Sequence, residues 1–413
     1  MRVTTALNHL LDLQGVWVRD VSFGPSAVVV SVALRRRRLV CPHCDHVTPH
    51  RYDTRSVDSA WRSLDLGPWR VVVRSRLRRL GCPAHGVVTE GVPFARPGSG
   101  FTRDFEDLVA YLAAKTDKTA VHRLLRVAWR TVGTICARVV ADELDPDRLE
   151  NLFEIGIDEV SWRRRHNYIT VVADHHTGKL VWAAPGKGLK TAQAFFDELG
   201  ARTQQLSAVS MDFGPAYQEA VRRRAPRATV CFDPFHLVAL ATRALDDVRR
   251  SAWRTIRAVS PSLARAFRGW RWVLLKNPEN LTAAQARLLE GVRADDGVLW
   301  QAYVLKESLR SVFAGDLSED EARDLLGTWC ERAETSGLVP FRKLASTVRW
   351  HLEGIVASVR LDLTNARTEA LNTKVRLITR RAYGFHSADA VIALVMLACG
   401  PVTLRLPHER RGW

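Results

Sequence analysis

From Leu152 onward the chain reads as short apolar runs broken by turns, and the order of those runs limits the fold more than any other feature. FEIGID, HNYITVVAD and KLVWAA are strand-like in their β-branched and aromatic content, with a turn at His175–Gly178 joining the second to the third. TAQAFFDELG then reads as helix, LSAVSMD as strand, Gly214 to Arg224 as helix, ATVCF as strand, and the segment from Pro234 as helix again. Three strands opening with a hairpin, followed by αβαβ, is the chain order of a ribonuclease H-like α/β domain, although order alone does not establish that fold. From about 235 to 345 the sequence is helical and rich in tryptophan, which predicts a helical insertion, and a last helical stretch begins near Asn365.

Two linker-like stretches, GVPFARPGSG at 91–100 and ADELDPDRLEN at 141–151, divide the chain. The expectation is a multidomain α+β protein: an N-terminal module over 1–90, a helical segment over 101–145, and an α/β domain over 152–413 interrupted by the insertion. In the first part Arg70 to Leu80 (RVVVRSRLRRL) alternates apolar and basic positions, which suits short strands with one charged face. With 413 residues, 46% of them hydrophobic, wholesale disorder is excluded. Lys and Arg total 61 against 44 Asp and Glu, a formal charge of +17 carried mostly by arginine. The guanidinium fork matches phosphate oxygens, so a polyanion is the first partner to consider. The seven cysteines are not arranged as a disulfide framework. The N-terminus lacks the apolar core of a signal peptide, and the run Val391 to Cys399 is too short to span a bilayer. A soluble protein of a reducing cytoplasm, without a membrane partner, is expected.

Cys41-Pro-His-Cys44 and Cys82-Pro-Ala-His85 form C-x-x-C followed by C-x-x-H. Two such knuckles supply the four thiolate and imidazole ligands of tetrahedral, structural Zn²⁺, with the intervening strands as a zinc ribbon. His43, His46 and His50 are alternatives to His85 as the fourth ligand. A thiol-redox C-x-x-C would not account for the second half. Further along, TAVHRLLRVAWRTVGTICARVVADE has the form of two helices joined by a tight turn near Arg126–Trp129, with Val121, Leu124, Leu125, Val127, Val132 and Ile135 as packing residues. In a helix-turn-helix the second helix enters the major groove, which makes Trp129, Arg130 and Thr134 candidate DNA contacts. Ordinary helical hairpins share the pattern.

The α/β domain carries the chemistry. Asp158 closes the first strand and Asp212 the fourth, and in a ribonuclease H-like sheet those strands are neighbours. Adjacent carboxylates repel one another unless a divalent cation neutralises them. Mg²⁺, or Mn²⁺, takes hard oxygen ligands and leaves room for substrate phosphate, and two such ions can activate the attacking oxygen and stabilise the leaving one. The third candidate is Glu369. Asn365, Glu369, Asn372 and Arg376 are spaced by 4, 3 and 4 residues and share one helical face. Either aspartate alone could instead cap the turn that follows it. Glu159 is expected to point to the opposite face of the strand from Asp158, and Asp174 to serve the hairpin turn with Gly178.

These residues resemble the "ISL three" group of bacterial insertion-sequence transposases over nearly the whole chain. The most specific pieces are IGIDEVSW around Asp158, MDFGPAY around Asp212, CFDPFHLV around His236, AYVLKE at 302–307 and NARTEALNTKVRLITRRAYGF around Glu369. The resemblance implies a catalytic and metal-binding triad of Asp158, Asp212 and Glu369. Asp233 and His236 match a C/D-x-x-H signature, which implies a place for His236 beside the site; a capping Asp with a core histidine fits the same residues. Where the family's zinc segment often ends in cysteine, this chain has His85. By the same resemblance, the N-terminal modules grip terminal inverted repeats of double-stranded DNA, at least two subunits pair the ends, and water and then a freed 3′-hydroxyl attack phosphodiesters in the donor and target. The protein then works on the nucleoid. Arg376, Arg380, Arg381, Arg163 to Arg165 and Arg222 to Arg224 are candidate phosphate contacts, while Trp270, Trp272, Trp300, Trp329 and Trp350 are expected in the core. Two other readings remain: a DNA-binding regulator with an inert α/β domain, and a nuclease of the same fold that cuts without joining.

Overall fold

Burial follows a period of two along Ala27–Leu34, where Val28, Val30 and Val32 are buried and the residues between them half-buried. The structure, a computed structural model, describes residues 2–163, 167–315, 317–361, 363, 366–382 and 385–409. Within these stretches the side chains of residues 263, 266, 268, 366–369 and 372 lie outside the described set. The chain forms two units, Met1–Pro146 with Leu377–Trp413, and Asp147–Arg376.

In the first unit a helix, Val3–Leu11, precedes β1 (Val16–Phe23), β2 (Ala27–Leu34), β3 (Leu39–Val40), β4 (Val47–Thr48), β5 (Asp53–Thr54), β6 (Ser59–Arg62), β7 (Arg70–Ser75), β8 (Arg78–Cys82) and β9 (Gly86–Thr89). They form a four-stranded sheet in the order β1-β2-β7-β6, a three-stranded sheet β5-β8-β9 and the pair β3-β4. Val16, Val18, Val28, Val30, Val32, Val71 and Val73 turn inward to pack with Leu7, Trp61 and Phe94. Removal of this apolar surface from water holds the sheet to its helix.

Three helices follow, Arg103–Lys115, Lys118–Leu125 and Trp129–Glu143. Thr102 and Asp117 cap the first two through side-chain oxygens that accept from Phe105 N and from Thr119 and Ala120 N. The turn before the third helix passes through Arg126 in the left-handed region, at φ 53°. Val121, Val127, Val132 and Ile135 are buried as expected, but Leu124 is 65% exposed. It falls on the outer face of a helix only two turns long, where three apolar positions cannot all face inward. Arg96, fully buried, is ringed by Glu106, Asp107, Asp142 and Glu143, which satisfies its charge where an unpaired one would be costly. The helix Ala388–Cys399 packs on Trp129–Glu143 and on Arg103–Lys115. Residues 377–413 pack with this unit.

The second unit is built on a five-stranded sheet of β10 (Glu154–Arg163), β11 (Asn167–Asp174), β12 (Leu180–Pro185), β13 (Ala208–Met211) and β14 (Thr229–Phe232), in the order β12-β11-β10-β13-β14. β10 to β12 form an antiparallel meander, and β13 and β14 add to β10 in parallel, each reached through a helix, Leu189–Leu199 and Pro215–Arg224. Asp174 serves the β11–β12 turn as expected, with its carboxylate accepting from His176 and Thr177 N at 3.0 Å each. From Pro234 the chain is helical to Arg360, beginning with the long helix Pro234–Val259. Trp329 is core, and its Nε1 donates to Leu305 O at 2.8 Å. Trp270 and Trp300 are half-buried, whereas Trp272 and Trp350 are 59% and 84% exposed, contrary to expectation. Trp350 sits at the last position of the helix Val339–Trp350, where the opposite face, Phe341, Leu344, Ala345 and Val348, makes the core contact.

Candidate active site and metal centre

Parallel pairing sets three carboxylates side by side. β10 pairs with β13 through Gly156 and Ser210, and β13 with β14 through Met211 and Phe232. Asp158 therefore lies two residues beyond the last β10–β13 pair, while Asp212 and Asp233 each directly follow their strands. The carboxyl ends of parallel strands are where α/β sheets bind ligands. Gly214 secures the middle one: its N–H donates to Asp212 Oδ1 at 2.9 Å, and a Cβ at 214 would stand 2.8 Å from that oxygen and push the carboxylate aside. Asp158 Oδ1 accepts from Glu159 N at 2.6 Å.

Asp158, Asp212 and Asp233 line one cavity of about 480 Å³, together with Glu159, Tyr168, Phe213, His236, Arg243 and Arg376. At about 30 Å³ per water this is room for roughly sixteen, enough for hydrated cations and a phosphodiester. Burial and the neighbouring Asp212 and Asp158 hold the Glu159 carboxyl above its ordinary range, against the pull of Lys187 at 3.6 Å. Burial likewise raises the Tyr217 phenol, with a Thr170 hydrogen bond opposing it and the same three carboxylates adding to it. The cavity is thus a concentration of negative charge whose donors are hard oxygens, a set that suits a divalent cation such as Mg²⁺ or Mn²⁺.

Four of the expected residues, Asp158, Asp212, His236 and Arg376, come together here. Asp233 does both things the sequence allowed: Oδ1 accepts from Phe235 N at 3.0 Å as a helix cap, while Oδ2 lies 3.6 Å from His236 Nε2. Glu369 falls in the helix Ala366–Arg381, and its side chain lies outside the described residues. Glu159 lines the cavity as well, because the cavity spans consecutive β10 residues from Asp158 to Ser161; the register is unbroken from Ile155 to Ser161, so neighbouring side chains there still alternate across the strand. Arg243 was missed. Its signal is helical spacing, seven residues beyond His236 on the stripe that also includes Ala239 and Leu240.

In the first unit Cys41, Cys44, Cys82 and His85 bring their ligand atoms within 4.8 Å of one another. Cys44 Sγ lies 3.6 Å from Cys82 Sγ, and His85 Nδ1 lies 3.5 and 3.7 Å from Cys82 and Cys41 Sγ. A tetrahedron with Zn–S of about 2.3 Å has edges of roughly 3.7 Å, so this Cys3His cluster suits zinc as it stands. Although burial opposes ionisation, hydrogen bonds from His85 and the turn backbone bring the Cys82 thiol down to about 6, toward the thiolate a metal requires.

Trp129 and Arg130 are exposed at the start of their helix, and Thr134 one turn on. The Lys118 ammonium lies 5.1 Å from the Trp129 ring. Arg380 is exposed, but Arg381 is engaged elsewhere: it donates to Ala114 O at 3.0 Å and Lys115 O at 2.7 Å, capping the helix Arg103–Lys115. Arg222 and Arg223 pair with Glu219, and Arg224 pairs with Asp197. Arg163 is exposed at the end of β10, and residues 164–165 lie outside the described set. No helix among the described residues is long and apolar enough to cross a membrane.

Residues 155–395 match the DDE transposase model of the ISL3 family, and residues 90–140 match the helix-turn-helix domain of transposase family ISL3. The chain is 42% identical over 389 residues to the transposase for insertion sequence element IS1557 from two strains of Mycobacterium tuberculosis, covering 89% of this chain and 86% of each relative. It is 31% identical over 333 residues to the transposase for insertion sequence element IS1001 of Bordetella parapertussis, covering 79% of this chain and 81% of that relative.

Proposed function

The chain belongs to the ISL3 family of insertion-sequence transposases, with a DNA-binding helix-turn-helix and a DDE catalytic domain, and from this premise we propose that Asp158, Asp212 and Glu369 are its triad. The observation that carries the proposal is the cavity shared by Asp158, in the middle of β10 just past its parallel pairing with β13, and Asp212, directly after β13. The strand order β12-β11-β10-β13-β14, an antiparallel meander extended by two parallel strands, supports a ribonuclease H-like fold for the domain. Glu369 joins from the helix Ala366–Arg381, whose Arg376 already lines the cavity.

Divalent ions, Mg²⁺ or Mn²⁺, held by these carboxylates would supply charge neutralisation and a deprotonated nucleophile for in-line attack at phosphorus. The chain's own residues do the rest. Gly214 N–H fixes Asp212, Glu159 N–H fixes Asp158, and Asp233 orients the imidazole of His236 toward the cavity. Arg376 at the cavity edge meets a phosphate of the incoming strand. Zn²⁺ held by Cys41, Cys44, Cys82 and His85 is structural, because all four positions are filled by protein. Trp129, Arg130 and Thr134 read the element's terminal inverted repeats, and two or more subunits pair its ends on the nucleoid.

The test is strand transfer. A labelled duplex with a pre-cut element end is incubated with the full-length protein, Mg²⁺ and a supercoiled target. Joining of the 3′-end into the target is the expected result. Cutting of the duplex with no joined product would assign a nuclease instead.

A further inference from the structure

The four-stranded sheet of the first unit has a second face. Burial alternates along β7, with Val71, Val73 and Ser75 turned inward and Arg70 and Arg74 exposed on the other side. The register sets Arg70 opposite Ala27, and sets Arg74 opposite Ser31 of β2 and Ala60 of β6. On β1, Trp17 lies opposite Ala33 and is 49% exposed, with the Arg35 guanidinium 3.8 Å from its ring centre. Val29 and Val72 therefore lie between the two arginines, flanked by Ala27, Ser31 and Ala60, with an aromatic ring at one end. Asp20, just after the β1 bulge, lies opposite Ser31 on the same face.

These arginines differ from their neighbours. Arg76, Arg78 and Arg79 are paired with Asp58, Glu90 and Asp53. Among the described residues no ion pair occupies Arg35, Arg70 or Arg74. The same face is tied to the helix-turn-helix. Arg62, opposite Val72 and so on the side of Arg70 and Arg74, donates to Leu125 O at 2.7 Å and Arg126 O at 2.8 Å. Asp65 accepts from both Arg62 and Arg126, at 3.1 and 2.6 Å. The turn between the two helices is thereby clasped to the edge of the basic sheet face.

We propose that this outer face of β1-β2-β7-β6 is a DNA-backbone docking surface, with Arg35, Arg70 and Arg74 on phosphates and Trp17 against the sugar edge. It rests on the reading of the chain as a DNA-binding transposase and adds a second contact to the helix-turn-helix. Arginine suits the role because its fork engages two phosphate oxygens at once. Such contacts position the protein and carry no base information. The clasp fixes the spacing between this surface and the recognition helix, so both engage one duplex in a single register.

The experiment measures binding of the full-length protein to the element-end duplex and to a scrambled duplex of the same length, across a salt series. Removal of two phosphate contacts lowers the salt slope by about 1.8, a loss of roughly 60-fold at 0.1 M salt. Arg70→Ala with Arg74→Ala is expected to show that loss equally on both duplexes. Arg70→Gln with Arg74→Gln, which keeps the aliphatic stems, is expected to do the same, and the double lysine variant to restore most of the slope. An unchanged slope in both neutral variants, or a loss confined to the end sequence, overturns the proposal. Wild-type protein without salt-dependent duplex binding would overturn the DNA-binding reading itself, which separates the two failures.

Discussion

Replacement of Asp212 by alanine is expected to lower divalent-metal-dependent DNA cleavage on the order of 10³-fold or more, at least the effect of deleting one charge-stabilising group from an enzyme site. The reason is local. Asp212 is the middle carboxylate of the row at the strand ends, and both Glu159 and Tyr217 register its charge. Without it Asp158 and Glu369 cannot hold a cation between them, and the nucleophile is not activated. Stability is expected to move the other way. The variant relieves repulsion among carboxylates sharing one cavity, so its melting temperature in the absence of divalent metal should equal or exceed that of the wild type. Affinity for duplex DNA should stay within about twofold without added Mg²⁺, since the helix-turn-helix and basic sheet face lie in the other unit. Retained cleavage in a folded variant would move the chemistry away from Asp212. Wild-type DNA binding with no cleavage under any divalent ion would favour the regulator reading.

The second large effect is expected from Cys82→Ser. The metal cluster has little else to hold it together: Leu39 and Leu80 are the buried apolar side chains packed beside Cys41 and Cys82. A structural zinc site supplies on the order of 10–16 kcal/mol of apparent binding energy to a module of this kind, far more than two leucines can replace. Zinc content should fall from one equivalent to none, and limited proteolysis should open the strands around the cluster, β3 to β5 and β8 to β9. The four-stranded sheet, with its own core of valines around Trp61, should resist. Undiminished zinc in Cys82→Ser would refute the ligand set, and would direct attention to His43, whose ring centre is 5.3 Å from that of His85.

The parts of this architecture legible in the sequence were those where local chemistry and long-range order agree. Asp158 and Asp212 could be found because each ends an apolar run, and the order of runs makes their strands neighbours. The cysteine pairs could be found because zinc knuckles impose fixed spacing. Glu159 could not, because strict alternation places it across the strand from Asp158, and only the coordinates show both lining one cavity. Leu124 and Trp350 were expected inside on the strength of their side chains, yet each sits on a helix whose opposite face makes the core contact. The bonds from Arg381 to the carbonyls of Ala114 and Lys115 could not be read either, because those partners are remote in sequence. Pattern reports which face of an element is apolar and is silent on which distant surface will cover it.

The central claim, that three acidic residues far apart in the chain ligate common metal ions, is tested most directly by replacing Mg²⁺ with Fe²⁺ and letting ascorbate and peroxide cut the backbone beside the bound ion. Scission near Asp158, Asp212 and Glu369 together, suppressed by excess Mg²⁺ and lost from all three places in Asp212→Ala, is the result expected. Cuts at the two aspartates with none around Glu369, with and without end DNA, would contradict it.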